Sequence, residues 1–271
     1  MSTATLTKDL AAPGASVPTI DVSQPRVPLH RLVRVEARKL VDTRAGAWLI
    51  GLMVAATLVV TAGVLVFAPE EMLTFQSFLT MATGPAGFLL PVMAILLVTS
   101  EWSQRSALIT FGLEPRRGRV VVAKLLVGLV ATVVTLAVAL AFAAAATAIA
   151  AGTHDLVDPW AVSAAGVTNA GLVLLLALLM AFAFGMALMS SPAAIVLYFV
   201  LPTVWTLVAS FVPWIRDHLQ EWADLGAAQG PLYGSEWATG GDWLRIGTAG
   251  AIWVLAPLAF GVWRLLRSEV K

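Results

Sequence analysis

The sequence predicts an all-α integral membrane protein: six transmembrane helices, an N-terminal amphipathic interfacial helix, and a short cytoplasmic helix between the second and third spans. Three observations carry this. The 271 residues are 59% hydrophobic and only 12% charged, with a mean hydropathy of +0.87, whereas a soluble domain carries roughly 25% charge. The apolar residues fall into runs of bilayer length, about 20 residues each. Fifteen of the 17 Lys/Arg lie in alternate connections, on one side of a six-span layout.

In chain order, residues 1–27 are rich in Ala, Ser, Thr and Pro and read as a disordered cytoplasmic tail. They contain no apolar signal-peptide core. Residues 28–45 form the amphipathic connecting segment. Leu29, Leu32, Val33, Ala37 and Leu40 share one face and Arg31, Arg34, Arg38 and Asp42 the other. The basic face suits anionic headgroups. Glu36 interrupts the apolar face. It either snorkels or pairs with a neighbouring Arg, or it meets a basic group elsewhere, for which the Arg116–Arg119 cluster is the candidate.

Residues 46–271 form the six-span domain. The first span is 48–68. The second, 79–100, contains Gly84, Pro85, Gly87 and Pro91. The third, 120–151, is too long for one straight crossing and too short for two, so it is one helix whose first turn, with Lys124, projects from the bilayer. Residues 159–215 carry no charge and cross twice by turning at Ser190-Ser191-Pro192, giving spans at 161–189 and 193–214. The sixth span is 246–266.

Seven Lys/Arg precede the first span, five lie at 99–124 and three follow the last span; the opposite loops hold only Arg216 and Arg245. The positive-inside rule therefore places both termini and the central loop in the cytoplasm; the membrane expected is the plasma (inner) membrane. Trp48, Trp102 and Trp263 mark the inner interface, and Trp160, Trp214 and Trp243 the outer one. In the long outer segment 213–245, Trp214, His218, Trp222 and Leu225 recur at helical spacing, so it begins as one interfacial helix that Gly226 and Gly230-Pro231 end.

The central stretch, TSEWSQRSALITFGLEPRRGRVVVAK, is polar and basic. Residues 103–113 hold no Pro and one Gly, so they suit a short helix that Pro115 stops. Its apolar side chains form two groups, Trp102/Ile109/Leu113 and Ala107/Leu108/Phe111, so it must contact two things. One is the base of its own spans, the other a second protein.

Several chemistries lack their residues. There is no GxxxxGK[ST] phosphate loop and no GxGxxG. Cysteine is absent and the three His are scattered, so no metal site or catalytic group is expected. Nothing suggests nucleic-acid binding. No Asp, Glu, Lys, Arg or His lies at hydrocarbon depth, with Lys124 at its edge, which argues against an ion-coupled carrier or channel.

The central stretch resembles the signature of permease subunits of type 2 ABC exporters, especially the actinobacterial kind. The matching features are Glu101 ending the second span, the short helix 106–113, Pro115-Arg116-Arg117 with Arg119, and Ala123-Lys124 opening the third span. VEARKLVDTR resembles the family's connecting helix. Arg105-Ser106 departs from the Gly-Thr of many members. The resemblance implies a dimer with a second permease subunit, each seated on a separate cytoplasmic ABC ATPase that holds the ATP and Mg, with no cofactor on this chain. The short cytoplasmic helix would couple ATP-driven closure to the spans, with Trp102, Arg105, Leu108, Phe111, Arg116 and Arg117 toward the ATPase. The family's substrate route runs along the second and fifth spans, which here offer Thr80, Thr83, Thr203, Thr206 and Ser210 on an otherwise apolar path. Such a path suits an amphiphilic drug, lipid or peptide; for each hydroxyl alone, a bond back to its own helix is the ordinary role. A non-transporting membrane anchor or sensor that recruits a cytoplasmic partner is the alternative.

Overall fold

A computed structural model describes residues 27–103 and 116–267. The described residues are helical, with no strand, and six helices are long and apolar enough to cross a membrane. The fold is that of a multi-pass membrane protein. Helix α1 is Leu29–Asp42. The first five spans are α2 (Arg44–Phe67), α3 (Phe75–Ser103), α4 (Arg117–Thr153), α5 (Ala164–Leu188) and α6 (Ser191–Phe211). Three short helices follow: α7 (Pro213–His218), α8 (Gln220–Ala223) and α9 (Leu225–Ala228). The last span, Gly240–Leu265, joins α10 (Gly240–Gly250) and α11 (Ala256–Arg267) through a π-helical turn, Ala251–Leu255.

The ends of these helices follow from capping. Thr43 accepts from the Gly46 N–H and starts α2 directly after α1. Ser163 accepts from the Gly166 N–H and sets the start of α5 three residues past the expected one. Thr239 and Asp242 form a reciprocal capping box, which begins the last span six residues early. Helix α5 closes on Met189, whose φ of 52° is left-handed, and the chain turns there into Ser190 and Ser191 as the sequence predicts. The expected single interfacial helix after residue 213 is instead three short ones. Asp224 accounts for the second of the two breaks: its carboxylate takes the N–H groups of Gly226 and Ala227, starting α9 where a continuous helix would run on.

Helices α3 and α5 are the most buried spans and α2 and α6 the least. Against α3, α4 turns a row of small side chains, Ala139, Ala143, Ala146 and Ala150, onto Phe78, Leu79 and Ala82. Small residues let helix backbones approach in a membrane, where lipid removes the hydrophobic incentive to associate. Helix α11 also comes close to α5: a Cβ on Gly261 would lie 2.6 Å from the Met186 carbonyl carbon. Below that contact Arg264 Nη1 donates to the Ala187 carbonyl at 2.9 Å, satisfying an orphan acceptor at the end of α5. Midway along the same span, Trp253 in the π turn donates its indole N–H to the Ala223 carbonyl at 2.7 Å.

Candidate functional site

At the end of the bundle that carries the basic residues, four charged side chains close a ring. Glu36 and Lys39 are one turn apart on α1, Glu101 is two residues from the end of α3, and Lys124 is in the second turn of α4. Lys39 Nζ lies 2.7 Å from Glu36 Oε1 and 3.1 Å from Glu101 Oε1. Lys124 Nζ lies 2.7 Å from Glu36 Oε2 and 2.8 Å from Glu101 Oε2. Each carboxylate thus bridges both ammonium groups, and the ring is neutral. The side chains of Lys124, Glu36 and Glu101 are only 3%, 5% and 1% exposed.

The remaining polar valences are met. Lys124 Nζ also donates to the Leu97 carbonyl at 2.6 Å and to Ser100 Oγ at 3.0 Å. Ser100 Oγ is within bonding distance of the Leu97 carbonyl and Glu101 Oε2. A buried charge persists only when paired and hydrogen-bonded in this way. Burial pushes the Lys39 ammonium toward neutrality, but its bonds and attraction to Glu36 and Glu101 outweigh this and raise its pKa. A raised lysine pKa stabilises the docked state below the ordinary lysine value and loses that contribution as pH climbs through the higher folded-state value. On the alkaline side helix α1 should therefore stay docked across neutral pH and loosen under strong alkali, which proteolysis within α1 across a rising pH series would read.

Glu36 does meet a basic group elsewhere in the chain, as one sequence expectation has it, though not the candidate cluster. Its partners are Lys39 and Lys124, not a neighbouring Arg or the cluster at 116–119. That cluster is engaged elsewhere: Arg117 Nη1 donates to the Leu265 carbonyl at 2.6 Å and Arg119 Nη2 to the Val27 carbonyl at 2.5 Å. Lys124 lies about 10 Å further along α4 than Arg117, at 1.5 Å per residue, level with α1. Among the other residues expected to face an ATPase, Trp102 is half-buried against Val98, Phe182 and Leu265, and Arg116 is exposed at the start of α4. Arg105, Leu108 and Phe111 lie outside the described residues, as does the short helix expected there.

At the opposite end, a cavity of about 440 Å³ opens between α3, α5 and α6, beneath the segment 225–233. Of the five hydroxyls expected on the substrate route, Thr80, Thr83 and Thr203 line it. Each is bonded back to its own helix, Thr80 to the Gln76 carbonyl, Thr83 to Thr80 and Leu79, and Thr203 to Phe199. Their protons are thereby used and their lone pairs remain for a ligand. Thr206 instead donates to Asp224 Oδ2 at 2.6 Å, and Ser210 is exposed and bonds back to the Leu207 carbonyl.

The sequence reading did not include the residues that roof this cavity. Asp224 is buried and ties α6 to the segment between α6 and α10; Gln229 and Tyr233 line the cavity from that segment. Asn169 of α5 donates to the Gly234 and Glu236 carbonyls of the same segment. Ser163 donates to the Ser235 carbonyl. The outer segment holds five carboxylates, Asp217, Glu221, Asp224, Glu236 and Asp242, so nothing in the sequence singled out Asp224.

Among the described residues no group of three or more His, Cys, Asp or Glu is placed to hold a metal ion. No family model matches the chain, and neither a curated protein nor a solved structure does.

Proposed function

We propose that the chain is the membrane-spanning permease subunit of an ATP-driven exporter of the type 2 ABC kind, moving an amphiphilic substrate with energy from a separate cytoplasmic ATPase that binds ATP and Mg. A second permease subunit, a copy of this chain or a relative, completes the transporter, and the less buried spans α2 and α6 are free to meet it or lipid. The observation that carries the reading is the charge ring. It fastens α1 to the last turn of α3 and the second turn of α4, on either side of the connection 104–115. A displacement of that connection is then passed to three helices at once, and α3 runs from it to the cavity. Pro85 and Pro91 lie inside α3 and remove the N–H donors that would hold the Met81 and Gly87 carbonyls. Those are the points at which α3 can bend. An external ATPase acts by differential contact in two states, and this arrangement gives it a lever.

In this reading both termini and the connection 104–115 are cytoplasmic, in the plasma (inner) membrane. The chain has no Cys, so single cysteines at Ser2, Ser235 and Ser268 report sidedness cleanly. In intact cells an impermeant reagent should label Ser235→Cys alone; labelling at either of the other two would reverse the orientation.

The decisive test is Phe111→Ala. Removal of an aromatic anchor from an interface costs about 2 kcal/mol, or roughly thirtyfold in affinity. ATPase docking should weaken by about that factor and transport should stop, while thermal stability is unchanged. Normal docking with lowered stability would mean that Phe111 packs under its own spans. Normal docking and normal stability without any transport would favour a recruiting anchor over a permease.

A further inference from the structure

We propose that the cavity between α3, α5 and α6 binds an uncharged amphiphile, an apolar body with a hydroxyl or amide head, that enters sideways from the bilayer between α2 and α3. This rests on the reading of the chain as a permease for amphiphiles and narrows the substrate class.

The walls give the head its chemistry. Among the described residues no Asp, Glu, Lys, Arg or His lines the cavity or the three hollows that adjoin it at Thr80. A charged head moved there from water would lose its hydration and meet no counter-charge. What the walls offer instead is neutral hydrogen bonding, weighted toward acceptors. The Thr80, Thr83 and Thr203 protons are used within their helices. Gln76 Oε1, in the adjoining hollows, is buried with no hydrogen-bond partner. A buried acceptor without a partner is costly unless something fills it. A ligand O–H or N–H is what these oxygens lack, and the phenols of Tyr198 and Tyr233 complete a neutral polar wall.

The body and its route follow from shape. A volume of about 440 Å³ lies within the range of small-molecule sites. It exists because α3 carries glycine at two successive turns of the facing side: a Cβ on Gly84 or Gly87 would meet nothing within 4 Å. An apolar groove of about 630 Å³ between α2 and α3 shares Thr80, Gly84 and Phe88 with the cavity. Its rim residues Leu52, Met81 and Phe88 are exposed on the bundle's flank. A ligand dissolved in the bilayer reaches the cavity along this groove without crossing the polar end.

The test uses the full chain alone, in phosphatidylcholine nanodiscs. The probe is a monoacylglycerol with a diazirine in its acyl chain. Photolabelling should map to α3 and α6, and unlabelled monoacylglycerol should compete it at least tenfold better than an alkyl sulfate or an alkyltrimethylammonium of equal chain length. Gly84→Leu, which fills the cavity, should cut labelling at least fivefold, while Gly51→Leu, exposed on α2, leaves it unchanged. Equal competition by the charged compounds would overturn the proposal on the unmodified chain, whatever the variants do, and so would full labelling of a folded Gly84→Leu protein. Loss of transport with selective labelling intact would remove the permease reading and leave the site. Failed labelling in a chain that still docks its ATPase would remove the site and leave the permease.

Discussion

Replacing Lys124 with methionine should destabilise the chain by about 3–5 kcal/mol, because it leaves Glu36 and Glu101 buried with a single cation between them. Methionine keeps most of the volume, so the loss is electrostatic. In a membrane protein the readout is thermal, and a shift on the order of 10 °C is expected from that energy in a chain of this size. Lys39→Met should cost less, since Lys39 is 31% exposed and water reaches it. The diagnostic is the double variant Lys124→Met with Glu101→Gln, which removes a pair and restores the balance of charge. It should recover part of the loss, with a coupling on the order of 1–3 kcal/mol. A strictly additive double variant would mean the ring is a set of independent contacts.

The same variants separate anchoring from transport. If the chain is the proposed permease and the ring passes force from the connection 104–115 into α3, Lys124→Met protein that is folded at low temperature should dock an ATPase normally and transport slowly. A fall in ATPase affinity equal to the fall in transport would place Lys124 on the docking surface instead.

Asp224→Ala should cost about 3 kcal/mol. One carboxylate accepts the Gly226 and Ala227 N–H groups and the Thr206 hydroxyl. Loss of the cap accounts for about 1 kcal/mol, and loss of a charge-assisted bond at a buried site for about 2. The damage should be local. The roof over the cavity would loosen from α6 while the charge ring, at the other end of the bundle, stays intact. Protease sensitivity should rise within 213–239 and not within α1. Asp224→Asn keeps an acceptor oxygen and should recover more than half of the loss. Equal sensitivity at both ends would show that the two ends unfold as one unit.

How much of this was legible in the sequence differs by level. The six spans and their order follow from apolar length, and the break at Ser190-Ser191-Pro192 from turn chemistry. Helix starts were misplaced where polar residues cap a helix. Thr74, Gln76 and Ser77 read as loop, yet Thr74 Oγ1 accepts from the Ser77 N–H, and Phe78 and Leu79 are buried. The charge ring was visible only as an anomaly. Glu36 stood in an apolar face and Glu101 and Lys124 at the ends of apolar runs, but their pairing spans 88 residues of chain for Glu36 and Lys124, and periodicity carries no information at that distance. The cavity is the converse case. Thr80, Thr83 and Thr203 were singled out as hydroxyls on two spans, while its roof comes from a segment whose tryptophans drew attention away from Asp224, Gln229 and Tyr233.

The π turn in the last span has a consequence for sequence length. A π turn holds one residue more than the α-helical path it replaces, so it is the mark of a one-residue insertion in an otherwise regular helix. The span serves two neighbours, Trp253 toward the Ala223 carbonyl and Gly261 with Arg264 toward the end of α5. The turn spends its extra residue locally, so α10 and α11 keep nearly the faces an unbroken helix would give them. Deletion of Ile252 would rejoin them as a regular helix and leave Gly261 near Met186, while side chains within the turn lose their present aim. Trp253 would turn from the Ala223 carbonyl, so the span would keep its hold on the base of the bundle and lose its bond to the segment above the cavity. The extra residue is what lets one span hold both.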